Sequence, residues 1–345
     1  MSLIKRIYPS CKIVSIVGMA KNAGKTVTLN RVIEEAIEEC INIGLTSTGR
    51  DGEKQDIVTK TEKPTIYVEE GTLIATAAET LSMGDAKIEI ISVTDYTTPL
   101  GNIVIGKVRD SGYVQIAGPQ TNKGIKAVCD IMLSLGAQLV LIDGAINRVA
   151  SASPSVSEGT VLATGAVISR NMSRVIEETV HTVELFGLSE VDDNVSSIVD
   201  EIISNGKIAI IDNQYSVEYL DLKTALNSGT TIAGNIKEDT AYVVFPGSLV
   251  KKTLTDIQNT NTLYKNVTFV VNDGTKIFID PKSWIYFKNK GFSIKVLDSI
   301  KTLAVTVNPY SPEGYYFEQE GFLSKMKNYL KGIPVLDVCG GDLYE

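Results

Sequence analysis

The chain is predicted to be an α/β protein, with a first domain over residues 1–190 built on a mostly parallel sheet and a smaller α/β domain over 191–345. Three observations predict this. The short apolar run Ile13-Val14-Ser15-Ile16-Val17 passes through a glycine-containing loop into a helix-like stretch over 26–40. A second apolar run, Leu139-Val140-Leu141-Ile142, ends on Asp143. Beyond residue 206 strand-like and helix-like segments alternate, the pattern produced by parallel sheets with covering helices. At 345 residues the chain exceeds the usual size of a single core, hence two domains.

The first loop, Gly18-Met19-Ala20-Lys21-Asn22-Ala23-Gly24-Lys25-Thr26, reads as a phosphate-binding loop (P-loop) with one residue more than the standard spacing. The standard motif places about four residues between its first glycine and Gly-Lys-Ser/Thr; here there are five. Its setting between a buried strand and a helix is the context the motif requires. Glycines let backbone N–H groups close around phosphate oxygens, and the helix start adds partial positive charge. Gly18, Lys21, Asn22, Ala23, Gly24, Lys25, Thr26 and Val27 are therefore the nucleotide-binding candidates. Lys25 suits the outer phosphates, and the Thr26 hydroxyl suits Mg²⁺.

A second strand is expected at Leu45-Thr46-Ser47, followed by a polar loop whose Asp51, Glu53 and Asp56 are candidates for the Mg²⁺ shell or for positioning water. Asp51 is carried as a catalytic candidate with Lys25 and Asp143; a solvated polar loop is the plain alternative. Residues 87–116 read as β segments separated by turns. The turn Gly118-Pro119-Gln120-Thr121 then leads into a helix over 125–135, and a strand-end Gly-Pro could sense an outer phosphate or be a simple turn. Asp143, at the carboxyl end of a buried strand, is the acid expected beside Lys25 and Thr26, with Thr26 and Asp143 serving Mg²⁺. A small-residue loop carrying Arg148 precedes a further strand over 159–165. Alternation around His181 suggests a strand over 179–185. In the second domain, strands are expected near 207–212, 231–233, 242–245, 267–271 and 303–307, with helices near 249–258, 283–289 and 319–330.

Composition narrows the function classes. The net charge of -8 opposes a role in gripping nucleic acid, which needs a basic surface. Four scattered cysteines without a C-x-x-C pair imply reduced thiols and a cytoplasmic setting, and give no zinc framework. No apolar run reaches membrane-spanning length, and the first apolar run reads as a core strand, not a signal peptide. The single histidine, His181, leaves catalysis to Lys, Thr, Asp, Glu and backbone amides.

The Gly-x5-Gly-Lys-Thr loop followed by Val27 resembles dethiobiotin synthetase, within the broader group of P-loop ATPases and GTPases that includes the nitrogenase iron protein and septum-site proteins. The core from Lys21 to Thr26 also resembles the adaptor protein of molybdopterin-guanine dinucleotide synthesis. Dethiobiotin synthetase carries Lys-Pro after its second strand where this chain has Thr46-Ser47-Thr48-Gly49. It has Glu-Gly-Ala-Gly where this chain has Asp143-Gly144-Ala145-Ile146. These departures leave the nucleotide site and remove the biotin-precursor chemistry. A longer resemblance joins Asp143-Gly144-Ala145, Ser153-Pro154, Ala163-Thr164-Gly165-Ala166, the segment from Asn308 to Gly314, and Pro334-Val335-Leu336-Asp337-Val338. These are similar to the P-loop subunit associated with lysine 5,6-aminomutase. That resemblance implies reactivation of a cobalamin-dependent aminomutase driven by nucleotide.

The expected activity is Mg²⁺-dependent binding and slow hydrolysis of ATP or GTP, coupled to a protein partner such as an aminomutase. An ATP-dependent ligase or small-molecule kinase is the alternative. A homodimer would fit the group.

Overall fold

A computed structural model of the chain describes residues 2–48, 66–144, 152–222 and 228–338. In chain order, α1 (Ile4–Ile7), β1 (Ile13–Gly18), α2 (Lys25–Glu38) and β2 (Ile43–Ser47) come first. They are followed by β3 (Ile66–Val68), β4 (Leu73–Ala77), β5 (Lys87–Thr98), β6 (Gly101–Asp110), β7 (Gly112–Val114) and α3 (Asn122–Ser134). Next come β8 (Leu139–Asp143), β9 (Gly159–Gly165), α4 (Met172–Phe186), α5 (Asp193–Asn205), β10 (Ala209–Asp212), β11 (Val217–Tyr219) and α6 (Gly229–Asn235). Then follow β12 (Thr240–Phe245), β13 (Leu249–Val250), α7 (Lys251–Thr260), β14 (Thr268–Val271), β15 (Ile277–Phe278), α8 (Pro281–Asn289) and β16 (Ser293–Val296). The described chain closes with β17 (Thr302–Asn308), α9 (Gln319–Tyr329) and β18 (Val335–Asp337).

The chain forms two compact units, and the first is discontinuous. It holds the chain up to Thr179 and again from Lys301, while Val180–Ile300 form the second. This differs from the division at residue 190 expected from sequence. The segment from 301 onward returns to the first unit because β17 pairs with β9, Val305 standing opposite Leu162, and β18 pairs with β17. A buried parallel strand reads the same whichever sheet it joins; its pairing partner here lies far back along the chain.

The sheet of the first unit has nine strands in the order β18-β17-β9-β1-β8-β2-β4-β6-β5. It is parallel from β18 through β4, and β6 and β5 add antiparallel to its edge. Side-chain alternation explains how both faces are covered. Val14, Ile16, Leu139 and Leu141 pack with Leu29, Val32 and Ile33 of α2. Ile13, Val140 and Ile142 turn the other way, to Ile125, Val128 and Met132 of α3. Burial on both faces is why these strands are near-continuous apolar runs, and each buried aliphatic side chain contributes about 1.5–3 kcal/mol.

One buried carboxylate fastens the amino-terminal segment to this core. Glu35 of α2 accepts hydrogen bonds from Ile4 N at 2.8 Å and Ser2 Oγ at 2.9 Å, and from Arg31 Nε at 2.8 Å. Glu35→Gln substitutes a neutral amide for the charged acceptor. It is expected to lower stability by about 2 kcal/mol, read from the midpoint of a denaturant titration.

The second unit carries a five-stranded sheet, β11-β10-β12-β14-β16, with β12, β14 and β16 parallel and β10 and β11 antiparallel. Phe245, Phe269, Trp284 and Phe287 dominate its core. Two segments expected as strands are helical. His181 lies in α4 (Met172–Phe186), where Val175, Ile176, Thr179, His181, Val183, Leu185 and Phe186 are all buried, so the alternation over 179–185 belongs to a helix buried on more than one side. Thr231-Ile232-Ala233 lies in α6. Both are β-branched stretches in which tertiary packing overrides local preference. Among the described residues no helix is long and apolar enough to cross a membrane.

Candidate functional site

The carboxyl ends of the parallel strands in the first unit gather the polar groups singled out in the sequence. β1 and β8 are hydrogen-bonded neighbours, with Ile16 opposite Asp143, and β2 lies on the other side of β8 with Ser47 opposite Asp143. The open edge of such a sheet is where α/β proteins place ligands, since loops converge there while the faces are covered by helices.

The glycine loop leaves β1 with Met19 N donating to Ala163 O of β9 at 2.9 Å. It then turns through Asn22, with φ of 63°, and Gly24, with φ of 95°. Gly24 is the N-cap of α2, and being a glycine it provides no side-chain cap. The first helical turn also holds no acidic residue. An uncapped helix start leaves backbone donors aimed along the axis, where they suit an anion. By contrast α3 has its start closed by the Thr121 hydroxyl, which accepts from Gly124 N at 3.1 Å.

Lys25 is the first residue of α2, and its ammonium has two partners where β8 ends, Asp143 and the residue after it. Nζ lies 2.6 Å from Asp143 Oδ1 and donates to Gly144 O at 2.5 Å. The contact with the carboxylate is a charge pair without hydrogen-bond alignment. The lysine and aspartate side chains are 16% and 23% exposed, so the pair is shielded yet reachable from solvent. Thr26 and Val27 follow in the same turn, Thr26 half-buried and Val27 exposed. Below them Thr28 Oγ1 donates to Gly24 O at 3.1 Å and shares a hydrogen bond with Thr306 Oγ1 of β17 at 2.7 Å.

Of the residues expected at the site, Gly18 ends β1, Lys21, Asn22, Ala23 and Gly24 form the loop, Lys25, Thr26 and Val27 open α2, and Lys25 and Asp143 meet directly. Asp51, Glu53, Asp56 and Arg148 lie outside the described residues. His181 is in the second unit, 8% exposed, its Nε2 in a hydrogen bond with Ile279 O at 2.8 Å and its ring against Trp284. Those contacts make it a packing residue there. Burial pushes the Cys129 thiol up to about 12 and raises that of Cys11, so both are poor nucleophiles. Among the described residues no three His, Cys, Asp or Glu side chains are gathered as a metal site.

Two further sets of contacts reach the site, the first of them at the Gly-Pro turn that the sequence offered as an outer-phosphate sensor or a simple turn. Thr48 N donates to Asp143 O at 3.0 Å, and Ser47 Oγ accepts from Gly118 N at 2.9 Å while donating to Ile116 O at 3.3 Å. The Gly-Pro turn is thereby bound to the end of β2, one strand from Asp143. A Cβ on Gly118 would run into the Ser47 carbonyl oxygen and the Thr46 hydroxyl. Gly118→Ala is expected to cost about 1–3 kcal/mol, as overpacking against backbone does, and the denaturation midpoint checks it. The second is made by Asn308, to which the sequence assigned no role at the loop: its Nδ2 donates to Asn22 O at 3.2 Å. In the sequence Asn308 follows the strand expected over 303–307 and opens the segment, Asn308 to Gly314, that enters the longer resemblance.

No model of a known protein family matches the chain, and no curated protein matches it.

Proposed function

We propose that this chain binds a nucleoside triphosphate with Mg²⁺ at the loop from Gly18 to Val27 and hydrolyses it slowly in the service of a protein partner. The observation that carries the reading is the meeting of Lys25 and Asp143 at 2.6 Å, on the first turn of an uncapped helix and the end of the adjacent strand. Cation, acid and unpaired backbone donors converge there from two elements, the set that phosphoryl chemistry requires.

Each residue has a defined task in this reading. Backbone donors of the loop and the α2 start cradle phosphate oxygens, and Lys25 exchanges its carboxylate partner for an outer phosphate. The Thr26 hydroxyl and the Asp143 carboxylate form a small oxygen donor set. That suits Mg²⁺, which takes few protein ligands, keeps several waters and is held partly by substrate phosphates. Bound Mg²⁺ would supply charge neutralisation of the phosphates. Catalysis would then consist of positioning and charge stabilisation, with no covalent step on the protein.

The resemblance to the aminomutase-associated P-loop subunit puts forward a cobalamin-dependent aminomutase as the partner. The wild-type chain is expected to bind ATP or GTP saturably, more tightly with Mg²⁺ than without. Its turnover should be slow and rise on adding the mutase. Titration by calorimetry with each nucleotide, with and without Mg²⁺, checks the first point; absence of binding to both overturns the reading. Rapid product formation from a small acid or amine would instead mark the ligase or kinase alternative.

A further inference from the structure

Asn308 reaches the glycine loop from the far end of the sequence, and two glycines leave the space it fills. It is the last residue of β17 and stands in register with Gly165 at the end of β9. A Cβ on Gly165 would lie 2.5 Å from the Asn308 carbonyl oxygen and 2.9 Å from its Cβ. A Cβ on Gly24 would lie 3.1 Å from the same Asn308 Cβ. From this slot the side-chain amide uses both ends: Nδ2 donates to Asn22 O at 3.2 Å and Oδ1 accepts from Tyr310 N at 3.0 Å.

The residue is itself held firmly. Pro309 after it is buried, and the segment folds back as a small hairpin in which Ser311 N donates to Tyr315 O and Phe317 N to Pro309 O, both at 2.9 Å. Tyr315 Oη donates to Ala166 O at 2.7 Å, tying the hairpin to the residue after Gly165. A second tie from β17, Thr306 to Thr28 at 2.7 Å, holds the helix that the loop leads into.

The loop has reason to need such support. Asn22 is a non-glycine residue in the left-handed region, and Gly24 is left-handed as well. A backbone of this kind persists where surrounding contacts over-determine it. We infer that Asn308 is a positioning residue that holds the Asn22–Gly24 turn in its phosphate-accepting conformation before any ligand arrives. It acts through main-chain atoms of the loop, and its benefit is preorganisation: a loop already ordered loses less entropy on binding. The benefit to nucleotide affinity rests on the nucleotide reading above; the support of the loop does not.

The test uses the full-length chain with Asn308→Asp and Asn308→Ala. The aspartate is close in shape and keeps the acceptor for Tyr310 N while losing the donor to Asn22; the alanine loses both without adding charge. Amide hydrogen exchange is measured without nucleotide, and affinity for Mg²⁺-ATP is measured alongside. Exchange across residues 20–24 is expected to speed up about five- to tenfold in both variants, the worth of about one hydrogen bond, with β1 and β9 unchanged. ATP affinity should fall by a similar factor while turnover at saturating ATP stays within about twofold. Wild-type exchange of the loop in both variants overturns the inference. So does uniformly faster exchange across the whole unit, which would mark a merely structural role, or a loosened loop with unaltered ATP affinity. If the wild-type chain binds no nucleotide, the reading of function fails, and the exchange data alone decide whether Asn308 holds the loop.

Discussion

Lys25→Ala is expected to weaken Mg²⁺-nucleotide binding by roughly 10- to 100-fold while leaving the fold intact. A charge-assisted hydrogen bond is worth about 1.5–3 kcal/mol, and each 1.4 kcal/mol is a factor of ten. The lysine side chain is partly solvent-exposed and its neighbour Asp143 is more so. The Asp143 oxygen that faces Lys25 is itself buried, so loss of the ion pair is expected to lower stability by about 1–3 kcal/mol without unfolding the chain. The measurement is a paired one. Affinities are compared by titration, and thermal unfolding is followed with and without saturating nucleotide. The wild-type midpoint should rise with ligand, as binding to the native state alone requires, and the Lys25→Ala midpoint should not. Equal affinity in the two proteins would remove Lys25 from the binding site and with it the phosphate-loop reading.

Asp143→Asn should have a divided effect, because Asp143 has two roles in the proposal. Without metal the carboxylate competes with phosphate for Lys25, to which it is paired at 2.6 Å. Its neutralisation releases the ammonium, so affinity measured in chelator should hold or rise a few-fold, the scale of a partly exposed ion pair. With Mg²⁺ present the sign reverses. An amide is a weaker ligand and supplies no charge, so the metal-dependent increment in turnover should fall by roughly 100-fold, in line with the several kcal/mol a metal contributes. Titration of nucleotide at zero and saturating Mg²⁺, with turnover under both conditions, resolves the two roles. A variant that responds to Mg²⁺ as the wild type does would show that Asp143 serves only as the partner of Lys25.

Much of the first unit was legible because its signals are local. The apolar run to Val17, the glycine turn and the helix from Lys25 are contiguous in the chain, and each is specified by its own residue types. Asp143 was legible for a related reason: a carboxylate after four apolar residues marks the point where a buried strand surfaces. What misled was short-range alternation. The His181 segment alternates over 179–185 in burial as in sequence, yet it lies within the helix from Met172 to Phe186, which is buried on more than one side there. A window shorter than two turns cannot separate the periods.

The amino-acid sequence by itself determined the strand-loop-helix carrying Gly24, Lys25 and Thr26, the strand ending in Asp143, and the α/β class, because hydrophobic period and glycine placement act within a few neighbours. Only the tertiary structure decided that β17 returns to the first sheet, that Ser47 binds Gly118, and that Asn308 stands against Asn22 and Gly24. Those contacts join residues far apart in the chain, and strand order in a parallel sheet is set by packing both faces at once. Nothing in Asn308-Pro309 names the loop it supports; the vacancy left by two glycines does.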